Sequence, residues 1–415
     1  MKNVVINLVH IIFLVGCFIL PMIFGSAAGA AALLISLGWT IYLLFLRNYN
    51  VPTHQFQIIW TCIAPMFFII FSLSSIGWDS MKYGFNTIAF VLALGVFIHF
   101  SSYRIKSYME YLPLFATLGL LFGVIWAHLQ QDLEITRRLT PLIGGGSNLA
   151  ARIAILLAAF STIFILLNHT KLMKAAVYVI IQILTILLVI YAGSRGALLA
   201  IPILIVAPII FVLPCLWLRS VAVWICIFAM IGIAIFGFSY FDPNELASDL
   251  KTRLLSVANG EGMDASTERR YQMWQVAFQS FLEHPIIGTG WHSFIEVTEG
   301  TILESYAENG NYFNFHSDIA NFAVAGGIIG LLLYFLLLFA PLIFWDTPKD
   351  HPYFRVRLYW AVIMPILYLV LGLTDMVMGF DYPTMFYAFT FAIIWGLTEQ
   401  KKGSDIKNGA QTLVN

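Results

Sequence analysis

Long apolar runs divide almost the whole sequence, and they constrain the fold more than any other feature. A run of about 20 apolar residues can cross the roughly 30 Å hydrocarbon layer of a bilayer as a helix. Suitable runs occur near residues 4–24, 30–46, 56–76, 85–102, 111–128, 149–168, 175–192, 197–217, 221–240, 319–345, 358–373 and 384–398. Because backbone groups in lipid must be satisfied within the segment, these runs favour helices over open strands. The sequence therefore predicts an all-α integral membrane protein with about twelve transmembrane helices.

Composition supports the same conclusion. Hydrophobic residues make up 60% of the chain and charged residues 11%, whereas an ordinary globular domain has about 25% charged residues. Too few polar side chains remain to cover a water-facing surface, so lipid must cover much of it. The formal net charge is +0, which gives no support for a nucleic-acid partner. The four cysteines lie in apolar runs without the spacing of metal ligands, so we expect no metal site from them.

The distribution of Lys and Arg among the loops sets the expected orientation. These residues are more numerous on the side of the two termini, which places both termini in the cytoplasm. We then expect residues 1–240 to form nine transmembrane helices, 241–317 a large outward-facing loop, 318–400 three further helices, and 401–415 a cytoplasmic tail. Positively charged residues are disfavoured on the outer side of a membrane. The arginines that are predicted to lie there therefore suggest a function.

One such arginine lies in the string Gly193-Ser194-Arg195-Gly196, a tight turn between two apolar runs. The Arg195 guanidinium would sit at the outer membrane–water boundary. Arginine offers five donors in a planar fork that suits phosphate oxygens, and the flanking glycines let a ligand approach the backbone closely. The alternative is an interfacial arginine that extends its head group into water from a tight hairpin.

Residues 266–285 predict an amphipathic helix within the large loop. Its apolar residues recur at the spacing of one helical face: Tyr271, Trp274, Phe278, Phe281 and Leu282. Ser266 or Thr267 can cap its start, and Pro285 marks its end. Such a helix can lie along the membrane surface.

Arg269 and Arg270 fall in the first turn of this predicted helix. The helix macrodipole disfavours cations there, so two cations beside the first backbone N–H groups favour an anionic ligand. Arg270 and Trp274 are four residues apart, so we expect Arg270 to point toward the apolar side. The alternative is solvated charge on an ordinary loop helix.

Two further segments offer polar groups on the outer side. His316 lies where the large loop re-enters the membrane, and imidazole is the side chain best suited to accept a proton near neutral pH. Residues 137–152 hold Arg137, Arg138 and three consecutive glycines, which suit a shaped loop that contacts phosphate. The simpler alternatives are a capping or solvated histidine and a flexible connection.

Several well-known signatures are absent. The chain has no DxD pair, no Walker sequence and no GxSxG, and its carboxylates form no firm metal-ligand pattern. Few ionisable residues lie in mid-span, whereas pumps and proton-coupled transporters usually carry them. Asp375, at the outer end of the eleventh predicted span, is a partial exception. A transporter or lipid flippase remains the alternative from a different functional class.

Taken together, these strings resemble the O-antigen ligases of the lipopolysaccharide pathway, within the superfamily of O-antigen ligases and polymerases. The matching features are SRGA at Ser194–Ala197, Arg270 before Trp274, EHPIIGTGW at Glu283–Trp291, and His316 before a glycine-spaced helix. The resemblance covers most of residues 137–330. It implies a membrane-embedded glycosyltransferase, GT-C-like in fold, that needs no metal or other cofactor.

The resemblance also implies substrates, location and residue roles. Such enzymes work at the periplasmic face of the bacterial inner membrane, among membrane lipids. They take an O-antigen glycan from undecaprenyl diphosphate, and the ligase passes it to a sugar hydroxyl of lipid A–core with inversion. His316 would be the general base, and Arg195 and Arg270 would bind the diphosphate. Weaker candidates for support are Arg269, Arg138, Asp375 and Trp274. An O-antigen polymerase or a protein O-oligosaccharyltransferase of the same superfamily is the nearest alternative.

Overall fold

The structure, a computed structural model, describes residues 11–45, 87–102, 108–133, 135, 138–143, 145–167, 170–212, 265–291, 294–305, 314–379 and 381–399. Within these ranges every regular element is helical and no strand occurs. The all-α prediction is therefore confirmed for this part of the chain. The predicted spans at 56–76 and 221–240 lie outside the described residues, as does the first part of the large loop, so the count of twelve spans stays a prediction.

The helices are numbered here in chain order. They are α1 (Pro21–Phe24), α2 (Ser26–Phe45), α3 (Ile88–Ser102), α4 (Tyr108–Asp132), α5 (Ser147–Ser161), α6 (Lys171–Ala192), α7 (Arg195–Leu198), α8 (Ile201–Val212), α9 (Ala265–Glu283), α10 (Phe294–Thr298), α11 (Asp318–Ile343), α12 (Phe354–Gly372) and α13 (Asp381–Thr398). A π-helical turn at Val15–Ile19 precedes α1, and a 3-10 turn at Thr162–Leu166 extends α5.

Six helical stretches in the described ranges are long and apolar enough to cross a membrane. They are Tyr108–Asp132, Ser147–Leu166, Lys171–Ala192, Arg195–Val212, Asp318–Ile343 and Phe354–Gly372. All six coincide with runs that the sequence predicts as spans. The stretches Ser26–Gly38 and Ile88–Ser101 are shorter apolar helices. This length and composition are those of an integral membrane protein.

Helix α5 lies at the centre of the bundle. Its residues from Leu149 to Ser161 are all buried, and many of them are alanine. Small side chains let neighbouring helices approach closely, and α4, α6 and α12 all pack against α5. The segment before α1 reaches the same core, where the ring of Phe18 stacks on that of Phe160 at 4.7 Å between centroids.

Hydrogen bonds to backbone carbonyls tie the connections together at each end of the bundle. At one end, the Leu139 amide donates to the carbonyl of Tyr191 at 2.8 Å, and the Leu142 amide donates to the carbonyl of Ile23 at 2.6 Å. At the other end, the His351 ring lies 2.9 Å from the carbonyl of Thr398, the last residue of α13. The first of these ends carries the residues that the sequence predicts to face outward.

Helix α11 is interrupted within its span. Gly327 has φ 57° and ψ −147°, which no α-helical residue adopts. The backbone of residues 285–290, which follows α9, hydrogen-bonds to α11 on both sides of the interruption. The segment after α9 and helix α11 are thus joined at the point where α11 is broken.

Cysteine labelling should distinguish the two ends of the bundle. Leu142 at one end and Lys349 at the other are both exposed. We expect Leu142→Cys to react with a membrane-impermeant maleimide in spheroplasts, because its end of the bundle is predicted to face outward. Lys349→Cys should react only after the membrane is permeabilised. Labelling is read as a gel shift in a background that lacks the four native cysteines, and the reverse pattern would contradict the predicted orientation.

Candidate active site

The turn after α6 has the tight geometry that its glycines predict. Gly193 has φ 62°, in the left-handed region, and its amide donates to the carbonyls of Val189 and Ile190 at the end of α6. Helix α7 then begins at Arg195. A Cβ atom at Gly193 would lie 3.3 Å from Nε of Arg138, so the missing side chain lets that guanidinium approach the turn. The turn therefore brings Arg138 and Arg195 to the same region.

The loop that carries Arg138 is anchored to α4. Gln130 donates to the carbonyl of Thr140 at 2.6 Å and accepts from the Thr140 amide at 3.1 Å. The indole N–H of Trp126 donates to the same carbonyl at 3.1 Å. The structure thus favours a shaped loop over a flexible connection for residues 138–143. Arg137 lies outside the described residues.

His316 is held by its neighbours in a strained backbone conformation. Its φ of 48° is the one positive value among the non-glycine residues that the structure describes, and such values are uncommon for residues with a Cβ atom. The Asn314 side chain accepts from the His316 amide at 2.8 Å, and the Asn321 side chain accepts from the Phe315 amide at 2.9 Å. These two bonds fix the backbone on both sides of the imidazole.

Asp375 binds the imidazole of His316. Its Oδ1 lies 2.8 Å from Nδ1 of His316. An ionised carboxylate only accepts hydrogen bonds, so Nδ1 must carry the proton. Whenever the ring is neutral, the basic lone pair is therefore on Nε2. The pair therefore has the arrangement of a general base whose ring is oriented by a carboxylate.

Arg152 binds the same carboxylate from the other side. Its Nη2 lies 3.3 Å from Oδ2 of Asp375. Its Nη1 donates to the carbonyl of Met376, and its Nε donates to the carbonyl of Asn148 at 3.1 Å. Arg152 is 7% exposed and Asp375 is 8% exposed, so water screens this ion pair only weakly.

The surrounding charges keep Asp375 ionised. Burial raises the pKa of its carboxyl, but the charge of Arg152, the hydrogen bond and charge of His316, and the charge of Arg270 outweigh it. The pKa of Asp375 therefore lies below its usual range. Arg270, which the sequence predicts to bind phosphate, is therefore one of the charges that lower the pKa of Asp375.

Asp318 fixes the segment that carries Asp375. It is fully buried, and its two carboxylate oxygens accept from the amides of Val377 at 2.8 Å and Met378 at 3.0 Å. Asp318 is the first residue of α11, two positions after His316. The start of α11 and the loop after α12 therefore form one unit, with the imidazole and its carboxylate between them.

An open cleft of about 620 Å³, part of it solvent, lies beside this unit. Its lining residues are Arg138, Ser147, Asn148, Arg152, Gly193, Ser194, Arg195, Gly196, Ala197, Arg270, Leu371, Thr374 and Asp375. Four guanidinium groups and one carboxylate give this lining a surplus of positive charge. Helix and turn residues from four parts of the chain thus converge on a cleft suited to an anion. We refer to it below as the cationic cleft.

The structure brings together most, but not all, of the predicted site residues. Arg138, Arg195, Arg270 and Asp375 line the cationic cleft, and His316 adjoins it through Asp375. Arg269 and Trp274, which the structure also describes, lie outside the lining. The geometry of the cleft therefore does not support the roles predicted for these two residues.

The apolar face of α9 points away from the protein. Its residues Tyr271, Trp274, Phe278 and Leu282 are largely exposed, whereas Met273, Ala277 and Ser280 form the buried face. This arrangement is compatible with a helix that lies along the membrane surface, which stays a prediction.

The start of α9 also differs from the prediction. The helix begins at Ala265, so Ser266 and Thr267 lie inside it instead of capping it. Arg269 and Arg270 consequently follow the first turn, whose charged residue is Glu268. The macrodipole weakens beyond the first turn, so the electrostatic argument from the helix end is weaker than expected. Arg270 nevertheless reaches the cationic cleft.

Two residues of the site received no role from the sequence. The sequence does contain a signal for Arg152, because an arginine one turn inside an apolar span is a functional candidate by default. Asp318 opens an apolar run directly after His316, where a helix-capping role is the simplest interpretation. Its actual partners are 59 and 60 residues away in sequence, and no local pattern indicates such contacts.

The fold and the cleft define an integral membrane protein with an anion-binding site next to a histidine–carboxylate pair. A family model described as O-antigen ligase matches residues 180–335. This stretch, which includes Arg195, Arg270 and His316, is similar to the O-antigen ligase family, and the match supports the resemblance seen in the motifs. No curated protein matches the chain.

The match supports a place in the superfamily of O-antigen ligases and polymerases. It implies a glycosyltransferase-like enzyme that acts on lipid-linked glycans in a membrane. Among the described residues, no group of three or more His, Cys, Asp or Glu is arranged to hold a metal ion. Independence from metal stays a prediction.

Replacing Asp375 by Asn should destabilise the protein. Removing one partner of a buried ion pair costs about 3–5 kcal/mol. Because folding lowers the pKa of Asp375, its stabilisation is complete above the unfolded pKa of about 3.9 and is lost as pH falls through the lower folded value. The difference in free energy of unfolding between wild type and variant should stay constant from about pH 8 to about pH 5 and shrink only below about pH 4.

Denaturant unfolding in mild detergent at several pH values measures this difference. Asp132→Asn is the matched control, because Asp132 is an exposed carboxylate at the same end of the bundle. We expect the control to change stability by less than about 0.5 kcal/mol. Equal effects of the two substitutions would contradict a stabilising role for the Arg152–Asp375 pair.

Proposed function

We propose that the protein is an O-antigen ligase. It would transfer a glycan from undecaprenyl diphosphate to a sugar hydroxyl of lipid A–core at the periplasmic face of the inner membrane. The observation that supports this most strongly is the cationic cleft beside the His316–Asp375 pair. A glycosyl transfer from a diphosphate carrier needs one site that stabilises a departing anion and another that removes a proton. In this proposal the cationic cleft is the first site and the His316–Asp375 pair is the second.

The proton is removed by the imidazole in this proposal. Nε2 of His316 accepts the proton of the acceptor hydroxyl as its oxygen attacks the anomeric carbon of the glycan. Asp375 keeps Nδ1 protonated and stabilises the imidazolium that forms. The strained backbone at His316 fits this role, because strain of this kind is concentrated at functional sites.

The guanidinium groups receive the leaving group. The bond between the anomeric carbon and the diphosphate oxygen breaks, and its electron pair stays on the diphosphate. Arg195 and Arg270 stabilise the added negative charge, with Arg138 in support. Attack opposite the leaving group inverts the anomeric carbon. Preorganised cations of this kind can replace a divalent metal, which is consistent with the missing DxD pattern.

Arg152 has a different part in the proposal. Its guanidinium already binds Asp375 and two backbone carbonyls, so it serves mainly to hold the carboxylate in place. The exposed apolar face of α9 would contact bilayer lipid at the outer surface. Helix α9 would then place Arg270 at the depth where a lipid-linked diphosphate leaves the membrane.

Reconstitution tests the proposed function directly. The purified protein in liposomes, given carrier-linked glycan and lipid A–core, should produce glycosylated lipid A–core with or without a chelator. Elongation of the carrier-linked glycan without transfer to lipid A–core would identify a polymerase. Movement of the carrier lipid across the bilayer without bond formation would identify a flippase. Either of these results would refute the ligase assignment.

His316→Ala should abolish most of the transfer. Loss of a general base lowers the rate by about 10²–10⁴-fold, and we expect that decrease in kcat in the reconstituted assay. His284→Ala is the matched control, because His284 is an exposed histidine on the same outward segment. The control should retain wild-type activity. Unchanged transfer by His316→Ala would remove the histidine from the mechanism.

Arg270→Lys should also lower transfer sharply. Lysine keeps the charge but loses the planar fork that binds two phosphate oxygens at once. Loss of one stabilising donor in an anion site typically costs about 10²–10³-fold in kcat. Arg355→Lys, at an exposed arginine on the opposite end of the bundle, is the control for the same exchange. If both variants were fully active, bidentate binding by Arg270 would be excluded.

A further inference from the structure

The interruption of α11 forms a closed set of hydrogen bonds with the segment after α9. The amides of Thr289 and Gly290 donate to the carbonyls of Val324 and Ala325 at 2.8 and 3.0 Å. On the other side, the amides of Ile328 and Ile329 donate to the carbonyls of Pro285 and Ile286 at 2.8 and 3.3 Å. We call residues 285–290 and 324–329 the helix-break junction.

The junction satisfies the backbone groups that the interruption exposes. A break in a helix leaves carbonyls on its first side and amides on its second side without intrahelical partners. In hydrocarbon each such group would be costly. Residues 285–290 supply two amides and two carbonyls that match these groups. The break and the segment are therefore complementary parts of one structure.

Two glycines make the close approach possible. A Cβ atom at Gly288 would lie 2.3 Å from the carbonyl oxygen of Val324, and one at Gly327 would lie 2.5 Å from the carbonyl carbon of Ile286. Both contacts are with backbone, which cannot turn aside as a flexible side chain can. Both glycines also have positive φ, 65° and 57°, where an L-residue is strained.

The junction connects the two halves of the candidate site. Helix α9 carries Arg270 toward the cationic cleft, and α11 begins two residues after His316. Between them, Met273 and Ala277 of α9 pack with Phe315 and Val324 in a small apolar cluster. Apolar contacts of this kind are non-directional, so they allow α9 to slide or tilt. The directional hydrogen bonds of the junction fix its position along α11.

We propose that Gly288 and Gly327 are positioning residues that hold Arg270 at its working distance from His316. This inference rests on the proposed function, in which both side chains act on one substrate. Arg270 lies 13 residues before Glu283, or roughly 20 Å along the helix axis at 1.5 Å per residue. A tilt of about 5° at the junction would move it by roughly 2 Å over that length. A misplacement of about 1 Å can already cost 10²-fold in rate.

Gly288→Ala and Gly300→Ala form a matched pair for the test. Gly300 has φ 70°, close to the 65° of Gly288, but a Cβ atom there meets nothing within 4 Å. Both substitutions strain the backbone similarly, and only the first pushes α11 away. In the reconstituted assay we expect Gly288→Ala to lower kcat per folded molecule by about tenfold or more, because it displaces the Arg270 guanidinium that stabilises the leaving diphosphate. Gly300→Ala should match wild type.

A purely structural role predicts a different result. It would lower the amount of folded protein but leave kcat per folded molecule unchanged, and that outcome would overturn the inference. Ile328→Pro is a second variant for the case in which Gly288→Ala does not fold. It removes the one amide that donates to Pro285 but keeps a helical φ. We expect it to lower kcat per folded molecule in the same direction.

A distance measurement separates this inference from the proposed function. Spin labels at Gln275 of α9 and Leu332 of α11, both exposed, report the position of α9 without any substrate. The label-to-label distance distribution should broaden in Gly288→Ala and stay at wild-type width in Gly300→Ala. A wild-type distribution in Gly288→Ala would refute the positioning role. Absence of transfer by the wild-type protein would refute the ligase proposal alone.

Discussion

The carboxylate of Asp375 is the interaction on which the rest of the candidate site depends. It joins an imidazole on one side to a buried guanidinium on the other, and three separate parts of the chain meet at it. A buried charge is stable only with such partners, so each member of the group requires the others. Asp318 extends the same network to the start of α11, which makes the site and the helix packing one polar structure.

Local chemistry explains which parts of this arrangement could be predicted. Apolar runs near 20 residues indicate spans because the bilayer fixes their length, and Gly193 beside Arg195 indicates a tight turn because glycine adopts a left-handed backbone most readily. Spacing does not indicate that Met273, Ala277 and Ser280 form the protein-facing side of α9, because lipid and protein interior are equally apolar. The contact of Arg152 with Asp375 spans more than 220 residues of sequence, and no periodicity carries that information.

The motifs shared with the O-antigen ligase family have two kinds of physical meaning. Arg195, Arg270 and His316 carry charge or a proton site, and they adjoin the cationic cleft. No residue of the run Glu283–Trp291 lines the cationic cleft. Its glycines and backbone groups fit a broken helix, and Trp291 packs over Gly379 near the segment that holds Asp375. One short motif can thus supply the side chains of a candidate site, while another fixes the backbone geometry around it.

The backbone of His316 has a consequence for engineering. Glycine or asparagine would adopt a φ of 48° with less strain, but either would remove the imidazole that binds the buried carboxylate of Asp375. A relaxed backbone and a satisfied carboxylate are therefore opposing demands at one position. Selection for thermal tolerance at this residue would have to trade one against the other.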